Sequence, residues 1–518
     1  MNFETRRAAT TGFRPVNCVR FFDKLEAYRT LAITFFVATL LTSLLATHAF
    51  GQVSQEPPFD RTDLLESQIV ALTLPPAKES VPVLKHHLVL ERSEMLDRNS
   101  VIYYHRAMHL DQDIRDSFNY DTDSFHEWLN ETPSELQLKK VKTWLDRNKT
   151  IFHELDKASR CSHTDWGLQP TEFDIEPWYV LPINEIPYTR RFVRMLSVKA
   201  RYEIATGDYE AAIRTLRIGY QIGIDAGKAG FLVGDLVGIA EIGITNQVLL
   251  ELIQKPNSPS LYWALSELPQ PMFYSRQTLR QELFLMVKQD LFTKVLEKPE
   301  EKRWSPGEWR TVLFSDADKF FTAMGLQPPE IGTHGTAAAI MLRGYPIAKQ
   351  GLIESGMDAA EVDAMPVVQV VAVYEGKVIE NKLSECRKAL TLPFRQAIEA
   401  YEQLETKTSM LSGSQKGASV IPDLDMFFAD QSTVLLADLR IRNRMVSLRT
   451  IEAIRLHLGE TGKLPETLDE IKAVPVPNNA WTGKPIVYKR TADGATLFEF
   501  SRHKRHAKIY DLKVGEAK

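Results

Sequence analysis

The stretch ARYEIATGDYEAAIRTLRIGYQIG, Ala200–Gly223, sets how the rest of the chain is read. Gly207-Asp208 turns the chain between two segments of helical periodicity. Asp208 is well placed as an N-cap, because its carboxylate can accept from free N–H groups in the next turn. Upstream, Phe192, Val193, Leu196 and Ala200 line one helical face. Downstream, Tyr209, Ala212, Ile213, Leu216, Gly219 and Tyr220 line another. The spacing predicts a helical hairpin closed by small residues at Ala200 and Ala212, with Gly207, Asp208, Tyr209 and Ala212 as its structural residues.

Helical patterns continue on both sides. NSVIYYHRAMHL, Asn99–Leu110, carries apolar and aromatic groups at i, i+3 and i+4, and RTDLLESQIVAL, Arg61–Leu72, gives a shorter helical pattern. Prolines at 170, 177, 182 and 187 mark residues 161–188 as an ordered connecting loop. FLVGDLVGIAEIGITNQVLLELI, Phe231–Ile253, is nearly continuous in apolar residues, but Asp235, Glu241 and Glu251 interrupt it, so it reads as a buried core helix. Residues 271–410 form a second helical block, with Pro366 at a helix start, and 411–429 form a linker around SGSQKGAS. From 430 a long helix is followed by a short one, a proline-rich loop, and the strands IVYKR and TLFEF joined at Asp493-Gly494. The helical domain with the hairpin spans 52–270 and the last module 430–518.

The fold class is therefore mainly α: an irregular multi-helix body plus a small C-terminal α+β module. The 518 residues carry 63 basic and 67 acidic side chains, a net charge of −4, and no field that would draw nucleic acid. Residues 1–51 differ in character. Arg6, Arg7, Arg14, Arg20, Lys24 and Arg29 precede the apolar run Leu31–Ala46, and small residues follow at Ala49 and Gly51. This is the layout of a secretory signal, cleaved near Ala49 or Gly51 or kept as an N-terminal membrane anchor, with membrane contact through residues 30–51. The body is expected in the periplasm or cell envelope. Cys161 and Cys386 could form one disulfide there, but a chain with a large core does not need it, and two buried free thiols are the expected state.

Three resemblances follow from these motifs. TGDYEAAI resembles the turn and second helix of a tetratricopeptide unit, but it occurs once, and a solenoid needs about three stacked repeats. KLPETLDEIKAVPVPNNAWTGKPIVYKR resembles the C-terminal segment of the type II secretion major pseudopilin family. The chain lacks that family's acidic calcium-binding loop, and some 380 residues separate its apolar start from the long helix. The order of the YYHRAM helix, CSHTDWG loop, hairpin, DAAEVDAMP segment and tail resembles exported bacterial proteins of uncharacterised function.

Candidates for chemistry are sparse. CSHTDWG brings Cys161, His163 and Asp165 within five residues, the parts of a thiol nucleophile with its base and orienter. A packed loop around Trp166 explains the same residues. His105 and His109 lie four apart on one helix and could share a metal, yet Arg106 stands where a metalloprotease glutamate belongs. GETGK lacks the glycine spacing of a phosphate loop, and RHKRHAK, Arg502–Lys508, reads as a solvated strand or tail. No cofactor is expected. The sequence points to an exported scaffold or binding protein with a protein or envelope partner. An exported hydrolase whose site forms only in three dimensions, or an accessory of a type II secretion-like apparatus, are the alternatives.

Overall fold

The computed structural model describes residues 68–117, 122–168, 185–287, 299–302, 304–314, 332–410, 431–502 and 506–515. The fold is mainly α with a small C-terminal α+β part. In chain order the elements begin with strand β1 (Ile69–Leu74), strand β2 (Leu96–Asn99), and helices α1 (Val101–Ser117), α2 (Thr122–Trp128), α3 (Leu138–Arg147) and α4 (Lys149–Ser159). Strand β3 (Cys161–His163) leads to α5 (Glu185–Ala205), α6 (Tyr209–Ala226), α7 (Leu232–Ile253), α8 (Tyr262–Ser266) and α9 (Ser275–Val287). Then come α10 (Pro306–Phe314), α11 (Gly332–Glu354), α12 (Ala359–Ala364), α13 (Val367–Thr391), α14 (Phe394–Met410) and α15 (Gln431–Thr461). Strands β4 (Val487–Thr491), β5 (Gly494–Glu499) and β6 (Lys508–Val514) close the chain.

The hairpin forms where the sequence places it. Gly207 sits at φ +80°, the left-handed conformation that glycine adopts without a Cβ clash. Its N–H bonds Ile204 O at 3.1 Å and that of Asp208 bonds Glu203 O at 2.9 Å, the paired bonds that finish a helix at a glycine. Asp208 Oδ1 then accepts from Ala211 N–H at 3.0 Å, satisfying one free donor of α6 for about 1 kcal/mol. Tyr209 donates its hydroxyl to Pro256 O at 3.2 Å, and Ala212 is fully buried. Helices α5, α6 and α7 pack mutually as one three-helix layer. Of the described helices, α7 alone is long and apolar enough to cross a membrane, and most of it is buried within the body.

The chain divides into two compact units, one holding residues 56–297 and 375–518, the other 1–55 and 298–374. In the first, one core joins Leu216, Tyr220 and Ile224 of α6 and Val248 and Leu252 of α7 to Leu448, Ile451 and Ile454 of α15 and to the sheet residues Leu72, Leu497 and Leu512. Leu448 and Ile451 of α15 have no exposed surface in this core, while Leu435 and Leu439 of the same helix are buried in another. A second core gathers α1 to α4 against α5 and α6, with Trp128, Trp144 and Phe152 in edge contact. A third joins α9, the 375–391 part of α13, α14 and α15 around Leu279, Leu283, Leu383 and Tyr401. In the other unit, Asp358 caps α12 through Ala360 and Glu361 N–H, and buried Trp309 packs on Trp304 with ring centroids 4.7 Å apart.

The C-terminal hairpin is real: Tyr488 pairs with Leu497 across β4 and β5. It belongs to a larger sheet, ordered β1-β6-β5-β4, in which β1 runs parallel to β6. This corrects the helical pattern read over 61–72, since its described part, Ile69–Leu72, is strand. β-Branched and apolar IVALTL finds an open sheet edge, and strand propensity is decided by that packing. The short helix after GKLPE is a single 3-10 turn, Leu468–Glu470. Of the connecting loop read over 161–188, Cys161–His163 is strand β3 and 185–188 open helix α5, where Pro187 fits the first turn, while 169–184 and the 411–429 linker lie outside the described residues.

Candidate functional site

The CSHTDWG loop lies where β3 pairs parallel to β2. Cys161 is buried, donates its thiol to Lys157 O at 3.3 Å, and burial pushes its pKa up to about 11. A thiol held protonated is a poor nucleophile. His163 and Asp165 are exposed, so the structure does not bring the three side chains together. Asp165 instead shapes the loop: Oδ1 accepts from Gly167 N–H at 2.9 Å, and its backbone exchanges two hydrogen bonds with Asn99. Trp166 stacks on Tyr104 at 5.6 Å and donates to Asp225 O at 2.8 Å, while Tyr104 donates to the Asp225 carboxylate at 2.8 Å. The loop is a clamp between α1 and α6. Cys161 and Cys386 are both buried and free, as their sequence context implies.

His105 is half-buried on α1 and His109 is exposed. Asp111, the nearest carboxylate in sequence, is buried and already committed to Arg191, at 2.7 and 3.0 Å, and to the Tyr188 hydroxyl. Among the described residues no three His, Cys, Asp or Glu gather in a geometry that could hold a metal ion.

Chemistry that the motifs did not reveal lies buried on and around α7. Glu241 has no exposure, accepts Thr189 Oγ1 at 2.6 Å through one oxygen, and is pushed up to about 8 by burial. Asp235, also fully buried, is raised to about 7 for the same reason. The hydroxyls of Thr278 and Ser275 sit close enough to temper that rise, but neither is aligned as a hydrogen bond to it. Glu282 of α9 accepts Leu232 N–H at 2.6 Å, capping α7, and burial again raises it to about 7. The third interrupting acid, Glu251, forms a two-bond ion pair with Arg201, both at 2.7 Å. Asp235 and Glu241 have no exposed surface, and neither lines the solvent-reached trough between α9 and α13.

One concavity that solvent reaches is an open trough of about 1020 Å³ between α9 and the 380–391 stretch of α13. Gln277, Arg280, Gln281 and Phe284 form one wall at i, i+3, i+4 and i+7. Glu380, Ser384, Arg387, Lys388 and Thr391 form the other, with Leu383 at the seam where the two helices pack through Leu279 and Leu283. Arg280 and Arg387 are exposed and neither has an ion-pair partner among the described residues, whereas Lys388 pairs with Glu385. Each wall was visible as the polar side of an amphipathic pattern, SRQTLRQELF and ENKLSECRKALT. Their juxtaposition, across roughly a hundred residues of chain, was not. RHKRHAK also departs from its solvated reading at its first residue: Arg502 pairs with Glu402 and lies 4.6 Å from the Trp481 ring centroid.

Comparison with known protein families, curated proteins and solved structures finds no match to this chain.

Proposed function

We propose that this is an exported cell-envelope protein with a non-enzymatic scaffold or binding role, whose partner is another protein. The export component rests on the basic, apolar and small-residue succession over 1–51. The binding component rests on one observation: an open, solvent-lined trough carries two guanidinium groups without ion-pair partners among the described residues. The chemical parts of the thiol candidate, by contrast, face apart and hold the thiol protonated. On this reading the pseudopilin-like tail contributes a structural module to the body rather than a filament subunit.

The test uses the full chain with a C-terminal tag in a Gram-negative host, followed by fractionation and formaldehyde cross-linking of the envelope fraction. The expected result is tagged chain in the envelope together with a discrete cross-linked adduct. Chain confined to the cytosol would reject export, and envelope chain recovered only as monomer would reject the binding role.

A further inference from the structure

We propose that the trough between α9 and α13 seats an acidic amphipathic helix of the partner protein. This rests on the binding reading above and adds the partner's chemistry and geometry. The walls are two helical faces, and a third helix fits the ridges and hollow such a pair leaves exposed. From Glu380 to Thr391 the wall runs about 16 Å, roughly three helical turns at 1.5 Å rise per residue. Leu383 at the seam and Phe284, 44% exposed on the facing wall, offer apolar contact to the inner stripe of such a helix. Around them stand Arg280, Arg387 and Lys388, opposed only by Glu380 among the lining residues.

That charge set is complementary to carboxylates. A guanidinium presents a planar fork of donors that binds a carboxylate through two parallel bonds, and among the described residues Arg280 and Arg387 have no ion pair of this kind to break first. Gln277, Gln281 and Ser384 can donate to or accept from polar groups at the rim of a seated helix. The arrangement also has polarity, because Glu380 lies at one end of the α13 wall and Arg387 and Lys388 lie about two turns further on. The matching helix therefore places acidic residues against the arginines and a basic residue against Glu380.

The experiment measures fluorescence anisotropy with the purified full chain and a labelled, roughly fourteen-residue helical peptide. The peptide carries glutamates at i and i+4 flanking a leucine stripe, so that both line the face that enters the trough, and a counterpart has lysine in place of every glutamate. The acidic peptide is expected to bind, more weakly at high salt, and the lysine peptide is not. R280E/R387E, two exposed substitutions checked for folding by thermal melting, is expected to lose roughly tenfold or more for the acidic peptide and to gain the lysine peptide. Equal binding of both peptides, or binding unchanged in R280E/R387E, overturns the proposal. So does binding confined to inorganic polyphosphate or to phosphatidylglycerol vesicles. An envelope adduct that persists in R280E/R387E would overturn the assignment of the trough while leaving the binding role standing.

Discussion

Arg455 has no exposed surface, yet its guanidinium is fully employed. Nη1 donates to Glu452 at 2.7 Å, Nη2 to Ser258 O at 3.0 Å and to its hydroxyl at 2.7 Å, and Nε to Pro75 O at 3.3 Å. One side chain of α15 thereby ties down the segment after β1 and the α7–α8 connection. Glu452 is also buried and accepts Leu261 N–H at 3.1 Å through its other oxygen. Replacing Arg455 with Met strands a buried carboxylate and several carbonyls, so R455M is expected to lose about 3–5 kcal/mol of stability in urea unfolding. Adding E452Q keeps the acceptor for Leu261 and removes the stranded charge, so R455M/E452Q is expected to recover about 1–2 kcal/mol of that loss. No local pattern marks Arg455 among the other arginines of RIRNRMVSLRTIEAIR as the one that ends up buried. The thiol candidate was misleading for a related reason: adjacency in CSHTDWG does not specify burial, and Cys161 is buried while His163 and Asp165 are exposed.

At the scale of elements, α7 holds two glycines in opposite circumstances. A Cβ on Gly238 would lie 2.3 Å from Gly223 O of α6 and 2.6 Å from the Phe273 ring, whereas nothing lies within 4 Å of one on Gly243. Gly238 is one of two points, with Gly234 against Ala226 O, at which α7 closely approaches the α6 backbone. G238A is therefore expected to lose about 1–3 kcal/mol by overpacking. G243A relieves the backbone entropy of a helical glycine without a clash, and is expected to gain about 0.5–1 kcal/mol. Thermal or urea unfolding of the two variants side by side checks the opposite signs. Many helices were legible from local pattern, as where Gly207-Asp208 ends α5 and caps α6, whereas α7 is apolar almost throughout and is capped by Glu282 of α9. The sheet was legible only in part. Asp493-Gly494 signals the hairpin, but Gly494 also serves the next strand, since a Cβ there would meet Leu512 O at 2.1 Å. The β1–β6 pairing had no local signal: the Gln68 amide bonds Ala507 O at 2.8 Å across 439 residues of sequence. Its strand, IVALTL, becomes intelligible only once the open edge of β6 is known.

Within the unit that holds α7, the unusual quantity is how many carboxyl groups are buried without a full cation partner. Asp235, Glu241 and Glu282 are raised to about 7, 8 and 7, each chiefly by burial. Arg190 near Glu241 moderates the rise, and Asp438, itself raised by burial beside Arg442, adds to that of Asp235. In the unfolded chain such groups release their protons near pH 4. Between about pH 4 and 8 the native state therefore holds more protons than the unfolded state, and stability falls as pH rises through that window. His86 works in the other direction, because burial lowers its pKa and its contribution grows as pH rises toward its unfolded value of about 6.5. Three raised carboxyls outweigh one histidine. The urea midpoint of the full chain is thus expected to be higher at pH 5 than at pH 8. In D235N/E241Q two of the three titrations are removed, and the amide introduced on α7 can still accept from the Thr189 hydroxyl, so the decline is expected to flatten. A midpoint that rises from pH 5 to pH 8, or a slope identical in D235N/E241Q, would show that these acids are ionised in the native state and that some unseen partner balances them.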